Sequence, residues 1–282
     1  MPRVITRIAV VAPASRLEEE VAERVTALTR ALYPERAELF FHPQCFLSDG
    51  HFAGNDEARL AALLDVANDP KFDAVWMARG GYGSNRIAIR AMASLGNVAR
   101  GKIYLGYSDL GFLFAGLYRA GFPHVVHGPM VNDIKRDGGE AAVKRALSFL
   151  VERDPATLEP SIGDNKAAAF NVKVLNDLLG TALEPDLAGH VLMLEEVSEY
   201  MYALDRCMFH ITATPAMRRV AGIRIGRVSA VPDNDPPFGQ SEEEIVRHWC
   251  ALANIPYLGR ADIGHDVENK IVPFGKWVEV VS

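Results

Sequence analysis

Cysteine is scarce: Cys45, Cys207 and Cys250 are the three in 282 residues, none forms a CxxC pair, and any disulfide scheme leaves one over. A disulfide framework and thiolate metal ligation are therefore not expected, and a reducing compartment fits best. Long apolar runs are missing too, since no window approaches the eighteen or so consecutive apolar residues of a membrane span. The run from Ile8 to Ala12 ends at Pro13 and is too short for the core of a secretory signal, so it reads as a buried strand and the protein is expected in the cytoplasm. Positive charge is spread thinly. Thirty Lys and Arg face 36 Asp and Glu, for a net charge of −6, and no basic stripe is available to neutralise a phosphate backbone, so nucleic acid is not an expected partner. No glycine is followed by Lys-Ser or Lys-Thr at the distance a P-loop needs, and no Gly-x-Gly-x-x-Gly follows the first strand, which disfavours a dinucleotide site. Internal repeats and low-complexity tracts are absent as well.

What remains is an ordinary globular composition, 49% apolar and 23% charged, in a chain longer than one domain usually needs. Short apolar runs at Arg7–Ala12, Glu38–Phe41, Ala74–Ala78 and Lys102–Gly106 alternate with helical periodicity at Leu17–Leu32 and Glu57–Asn68. This β-α-β alternation predicts an α/β fold with a parallel sheet covered on both faces. A helix over Glu140–Val151 leads into a polar segment punctuated by Pro155, Pro160 and Gly163, which reads as a linker. Beyond it the pattern predicts helices at Asn171–Leu179, Tyr202–Ala213 and Ser241–Ala253. Strands are expected at His190–Leu194 and Val220–Val231, with a final strand pair at Tyr257–Asp262 and Trp277–Val281. The division expected is 1–150, a linker at 151–166, and a smaller α/β unit at 167–282.

Two strand ends carry residues suited to chemistry. The run Ile103-Tyr-Leu-Gly-Tyr-Ser-Asp-Leu enters an apolar helix through a turn with Ser108 at its tip, a corner that lifts a hydroxyl clear of a sheet and aims free helix N–H groups beside it. The plainer reading is that Ser108 or Asp109 caps that helix. Ala78-Arg-Gly-Gly-Tyr-Gly-Ser also follows an apolar strand, on the carboxyl edge where open α/β sheets bind ligands. Its glycines Gly80, Gly81 and Gly83 permit close backbone approach, and Arg79 is suited to hold a carboxylate. A serine nucleophile needs a base, and the base needs an orienting group. Of eight histidines, His265 in the polar turn Ile263-Gly-His-Asp has the best setting, although from context alone an ordinary solvated loop histidine is the commoner reading. The buried run Val191-Leu-Met-Leu ends in Glu195 and Glu196, with Glu199 following, and any of the three could serve as the acid.

Taken in order, Arg79-Gly-Gly-Tyr-Gly-Ser, Gly106-Tyr-Ser-Asp, His127-Gly-Pro-Met, Asp177-Leu-Leu-Gly-Thr, Leu192-Met-Leu-Glu-Glu-Val-Ser-Glu, Leu204-Asp-Arg and Ile263-Gly-His resemble the LD-carboxypeptidase family, which includes microcin-immunity peptidases. The resemblance implies a Rossmann-like N-terminal domain carrying the serine and a smaller α/β C-terminal domain supplying acid and base. It implies Ser108, Glu195 and His265 as the catalytic residues and the Asp109 and Gly81 N–H groups as an oxyanion hole. Arg79, Gly80 and Tyr82 would contact the substrate. A murein tetrapeptide losing its terminal D-alanine is the implied substrate, with no cofactor, no metal and a possible homodimer. Ala169-Phe-Asn-Val stands where the family usually has Gly-Gly-Asn-Leu, which bears on the substrate rather than on the three catalytic positions. Hydrolysis of acyl-linked nucleotide conjugates is the rival within the same chemistry. A binding protein whose Ser108 only caps a helix is the rival outside it.

Overall fold

The computed structural model describes residues 5–277. In its first half β1 (Thr6–Val11), α1 (Glu19–Leu32), β2 (Ala37–Phe41), α2 (Asp56–Asn68), β3 (Ala74–Met77), α3 (Ser84–Ser94), the single turn α4 (Asn97–Arg100), β4 (Ile103–Gly106), α5 (Gly111–Arg119), β5 (Val125–His127) and α6 (Gly139–Glu152) follow one another. The five strands are parallel in the order β2-β1-β3-β4-β5. Side chains alternate across this sheet as the strand period dictates. Ile8, Val10, Trp76, Leu105 and Val126 pack beneath α1 and α6, while Ala9, Val11, Val75, Met77 and Tyr104 pack against α2, α3 and α5.

The second half runs β6 (Lys166–Asn171), α7 (Val172–Leu178), β7 (His190–Val197), α8 (Met201–Ala213), β8 (Gly222–Ser229), α9 (Glu242–Ala253), β9 (Tyr257–Arg260), β10 (Val272–Pro273) and β11 (Gly275–Lys276). Strands β6 to β9 pair in sequence and in parallel. The chain then returns, adding β10 antiparallel to β5 of the first sheet and β11 antiparallel to β6 of the second. The two sheets share one apolar cluster, in which Phe112, Leu113 and Phe114 of α5 continue into Phe170, Val174, Leu192 and Leu194. Close approach is required there, because a Cβ on Gly111 would lie 2.8 Å from Val174.

The α/β class and the strand-helix alternation of the first half are as expected. Six elements were not placed in advance: α3, α4, β5, β6, β10 and β11. Strand β5 is only three residues long, too short to show a period; β6 is built on three alanines, which carry little strand signal; and α3 follows directly on the glycine loop. The helix expected from Asn171 starts one residue later, with the Asn171 side chain accepting from the Val174 N–H at 3.1 Å as its cap. Strand β9 pairs with β8, and residues 278–281 of the expected last strand lie outside the described residues. The polar segment after α6 is anchored: Leu158 bridges to Ile271, and Glu159 accepts the Asp262 N–H at 3.1 Å. Cys45, Cys207 and Cys250 are buried free thiols. Among the described residues no helix is long and apolar enough to cross a membrane, and no group of three or more His, Cys, Asp or Glu side chains is arranged to hold a metal ion.

The loops leaving β1 and β3 are stapled together by a fully buried arginine. Arg59 of α2 donates to the Pro13 and Gly83 carbonyls and pairs with Asp56, its guanidinium 4.7 Å from the Phe52 ring centroid. Replacing it strands the Pro13 carbonyl and takes one donor each from the Gly83 carbonyl and Asp56, which keep Arg86. Arg59→Leu is therefore expected to lower the unfolding free energy by about 2–4 kcal/mol, read from denaturant unfolding. A loss under about 0.5 kcal/mol would show that the staple contributes nothing.

Candidate active site

The corner after β4 holds Ser108 in a left-handed conformation, φ +63°. A residue with a Cβ pays roughly 1–2 kcal/mol to sit there, so the surrounding structure must impose it. The neighbours on either side do so. Asp109 is buried, its carboxylate accepting the Ser84 N–H at 2.8 Å and its carbonyl accepting the Ser84 hydroxyl at 2.5 Å, which ties the corner to the start of α3. Tyr107 is buried on the other side, and its hydroxyl donates to Asp133 at 2.9 Å. Ser108 itself caps nothing, so the capping reading fails for it, and Asp109 serves α3 rather than its own helix.

The Ser108 Oγ lies 3.0 Å from Nε2 of His265. That imidazole stands on a turn between β9 and β10 that is gripped from both halves of the molecule. Arg227 of β8 donates to Asp262 at 2.6 Å and Asp266 at 2.9 Å, while Arg145 of α6 donates to the Val267 carbonyl at 2.7 Å. Nδ1 of His265 makes a short hydrogen bond to Glu195, whose side chain is fully buried. With Nδ1–H given to the carboxylate, Nε2 is left to accept the serine proton. Burial works against protonating His265, but the charge and hydrogen bond of Glu195 outweigh it and hold its pKa above the ordinary 6.5. A hydroxyl, an imidazole and a buried carboxylate linked in this order can activate the oxygen as a nucleophile.

The neighbouring glutamates are placed differently. The pairing of β7 with β8 slips between Leu194 and Glu196, and both Glu195 and Glu196 are buried at that irregularity. Glu196 accepts from the Lys173 and Val197 N–H groups at 2.8 Å and from the Asn171 side chain. Burial, reinforced by the charge of Glu195, pushes its carboxyl up to about 7. Glu196 and Glu199 line a cleft of about 570 Å³ that opens beside Ser108. Lys173, Asp177 and Asn85 add polar groups to its wall, and Ile89, Phe112 and Leu183 form an apolar side.

The glycine loop runs along the serine. A Cβ on Gly80 would sit 2.9 Å from the Ser108 Cβ, and Gly81, at φ +110°, presses against Ser15. Gly81 and Tyr82 line the cleft, whereas Arg79 is exposed, stands outside the lining and reaches the Arg16 carbonyl at 3.5 Å. Sequence reasoning missed Asn85, Asn171, Lys173 and Glu196 as cleft residues. Asp177, which carries Lys173 at 2.6 Å, Glu196 and Asn171 were within reach through their motifs, but nothing local marked Asn85 or Lys173.

Family models place residues 8–128 in the LD-carboxypeptidase N-terminal domain and residues 167–280 in the LD-carboxypeptidase C-terminal domain. The chain is similar to the murein tetrapeptide carboxypeptidase of Pseudomonas aeruginosa, with 25% identity over 96% of this chain and 91% of that one. Among solved structures, a muramoyltetrapeptide carboxypeptidase from Oxalobacter formigenes matches with a TM-score of 0.79 at 21% identity, covering 96% of this chain and 93% of the other. The microcin C7 self immunity protein MccF, in complex with aspartyl sulfamoyl adenosine, matches with a TM-score of 0.78 at 15% identity, covering 96% and 92%. At those identities the structural likeness speaks to the fold.

The raised pKa of Glu196 has a measurable consequence for stability. An acid that ionises at 4.5 in the unfolded chain and at about 7 in the folded one favours unfolding as pH climbs between those values, and the native state carries the full penalty above 7. Glu196→Gln removes that term, so its stability relative to the native sequence should improve by about 3 kcal/mol from pH 4 to pH 8. A difference that stays constant across this range in paired denaturation curves would mean that Glu196 is ionised normally in the fold.

Proposed function

The chain belongs to the LD-carboxypeptidase family, and from that premise we propose that it is a serine carboxypeptidase using Ser108, His265 and Glu195 to remove terminal D-alanine from a murein tetrapeptide. The observation that carries the proposal is the 3.0 Å contact between Ser108 Oγ and His265 Nε2, with Glu195 bonded to the other ring nitrogen. In this reading His265 takes the proton as Oγ attacks the carbonyl of the L,D-amide bond. The oxyanion is held by the N–H groups of Asp109 and Gly81, and the protonated imidazole then gives its proton to the departing D-amino acid. Water activated by the same imidazole releases the acyl group. Gly80, Tyr82 and Arg79 would contact the substrate, with the exposed Arg79 side chain swinging in from outside the cleft lining to read the terminal carboxylate.

The same reading assigns the nucleophile to a unit spanning 1–150 and the acid and base to one spanning 167–282, joined by 151–166. The murein peptide of the similar Pseudomonas aeruginosa protein supports the substrate class. Cell-wall recycling in the cytoplasm by a homodimer completes the proposal. A second reading, hydrolysis of an acyl-linked nucleotide conjugate, is favoured by the likeness to MccF and would use the same three residues.

Incubation with murein tri-, tetra- and pentapeptides separates the readings: D-alanine release from the tetrapeptide is expected, and exclusive turnover of an aminoacyl nucleotide would favour the second. A fluorophosphonate should label Ser108, and Ser108→Ala should cut kcat by at least ~10³-fold. Unchanged hydrolysis by that variant would remove the serine mechanism. Gly80→Ala crowds Oγ and is expected to slow labelling by about tenfold or more, with little change in unfolding midpoint. Because the base must be neutral, kcat/KM should fall on the acid side through a pKa above 6.5. Glu195→Gln removes the charge that raises it, so the acid limb should move to lower pH while the plateau drops by ~10²–10⁴-fold. An unmoved limb would mean that another group titrates there.

A further inference from the structure

Asn269 is 1% exposed and lies in the turn that carries His265, yet no step of the mechanism above uses it. Its Oδ1 accepts two hydrogens, from the Gly264 N–H at 3.2 Å and from Nε2 of His127 at 3.1 Å. A backbone N–H can only donate, so the amide atom facing it is the oxygen, and Nε2 of His127 must therefore carry that ring's proton. Gly264 immediately precedes His265. His127 ends β5, where it pairs in register with Gly106, two residues before Ser108. The Tyr107 ring fills the space between, its centroid 5.5 Å from that of His127 and 4.8 Å from that of His265. A single polar link thus runs from the strand beside the nucleophile corner to the backbone that holds the base. Arg145 and Arg227 grip the same turn from outside, while the His127–Asn269 link ties its interior to the sheet bearing Ser108, three residues before β10 joins that sheet at Val272.

Resting on the Ser108–His265 reading, we infer that Asn269, held by His127, is a positioning residue that sets the imidazole of His265 at hydrogen-bonding distance from Ser108. The bridge requires one oxygen able to receive two N–H groups, and leucine fills the same space without it. Burial holds the His127 pKa down to about 4, so the ring stays neutral and the link keeps its donor and acceptor roles throughout the range in which His265 works.

The rate at which a fluorophosphonate modifies Ser108 in the purified full chain tests this without knowledge of the substrate. Asn269→Leu is expected to slow modification by about ten- to a hundredfold, the scale set by a displacement near 1 Å. Asn269→Asp, which still presents an oxygen to both N–H groups, should recover most of that rate. His127→Phe should slow the reaction comparably, and the double variant with Asn269→Leu should be no slower than Asn269→Leu alone, because both break one link. Should Asn269→Leu fail to fold, His127→Phe against Asn269→Asp decides: a slow former and a near-native latter support the inference. Native rates in His127→Phe and Asn269→Leu, or losses that multiply in the double variant, overturn it. A native chain whose Ser108 is never modified overturns the nucleophile reading itself, an outcome distinct from a labelled native chain whose variants match it.

Discussion

The hydrogen bond between Ser108 and His265 joins side chains 157 residues apart, and the rest of the site depends on it. Neither end is placed cheaply. The serine occupies a left-handed backbone conformation that its tethered neighbours sustain, and the imidazole stands on a turn held by Arg145 of α6 and Arg227 of β8. A contact of this kind tolerates little drift between the sheets. The apolar cluster running unbroken from α5 into β6 and β7, with glycine at the closest approach, supplies the rigidity. Strands β10 and β11 reinforce it by adding one segment of chain to the edges of both sheets.

Electrostatics around the site follow from how one strand ends. Two consecutive glutamates would normally face opposite sides of a sheet, one of them in water. Here β7 is buried on both faces from His190 through Glu196, so both are covered, and their partners divide their behaviour. Glu195 meets an imidazole and raises its basicity; Glu196 meets only neutral N–H groups and is itself held partly protonated near neutrality. The same chemical group thus orients an imidazole in one position and lines the cleft wall in the next. The cleft joins this polar wall to an apolar side within reach of the serine, an arrangement suited to a short peptide with both kinds of surface.

Local signals proved readable where one element carries its own meaning. The alternation of apolar runs and helical periods announced a parallel α/β sheet, and the sharp passage from strand to apolar helix marked Ser108. The close approach of Gly80 to that serine likewise follows from a residue type whose use is steric. Strand β6 stayed hidden because alanines have no strand preference of their own; it is a strand only because it lies between β7 and β11. Asn269 stayed hidden because an asparagine in a turn is commonplace, and its two partners are 142 and 5 residues away.

Residue type and order by themselves determined the fold class, the serine at a strand-to-helix corner, and a short set of histidine and glutamate positions suited to face it. Which glutamate meets His265, which residues wall the cleft, and whether Arg79 turns towards the serine were decided by tertiary structure alone. The reason is physical: side-chain direction at a strand end depends on a pairing slip between two strands, and proximity across 157 residues depends on how two sheets pack. Neither quantity is encoded in any local stretch of the chain.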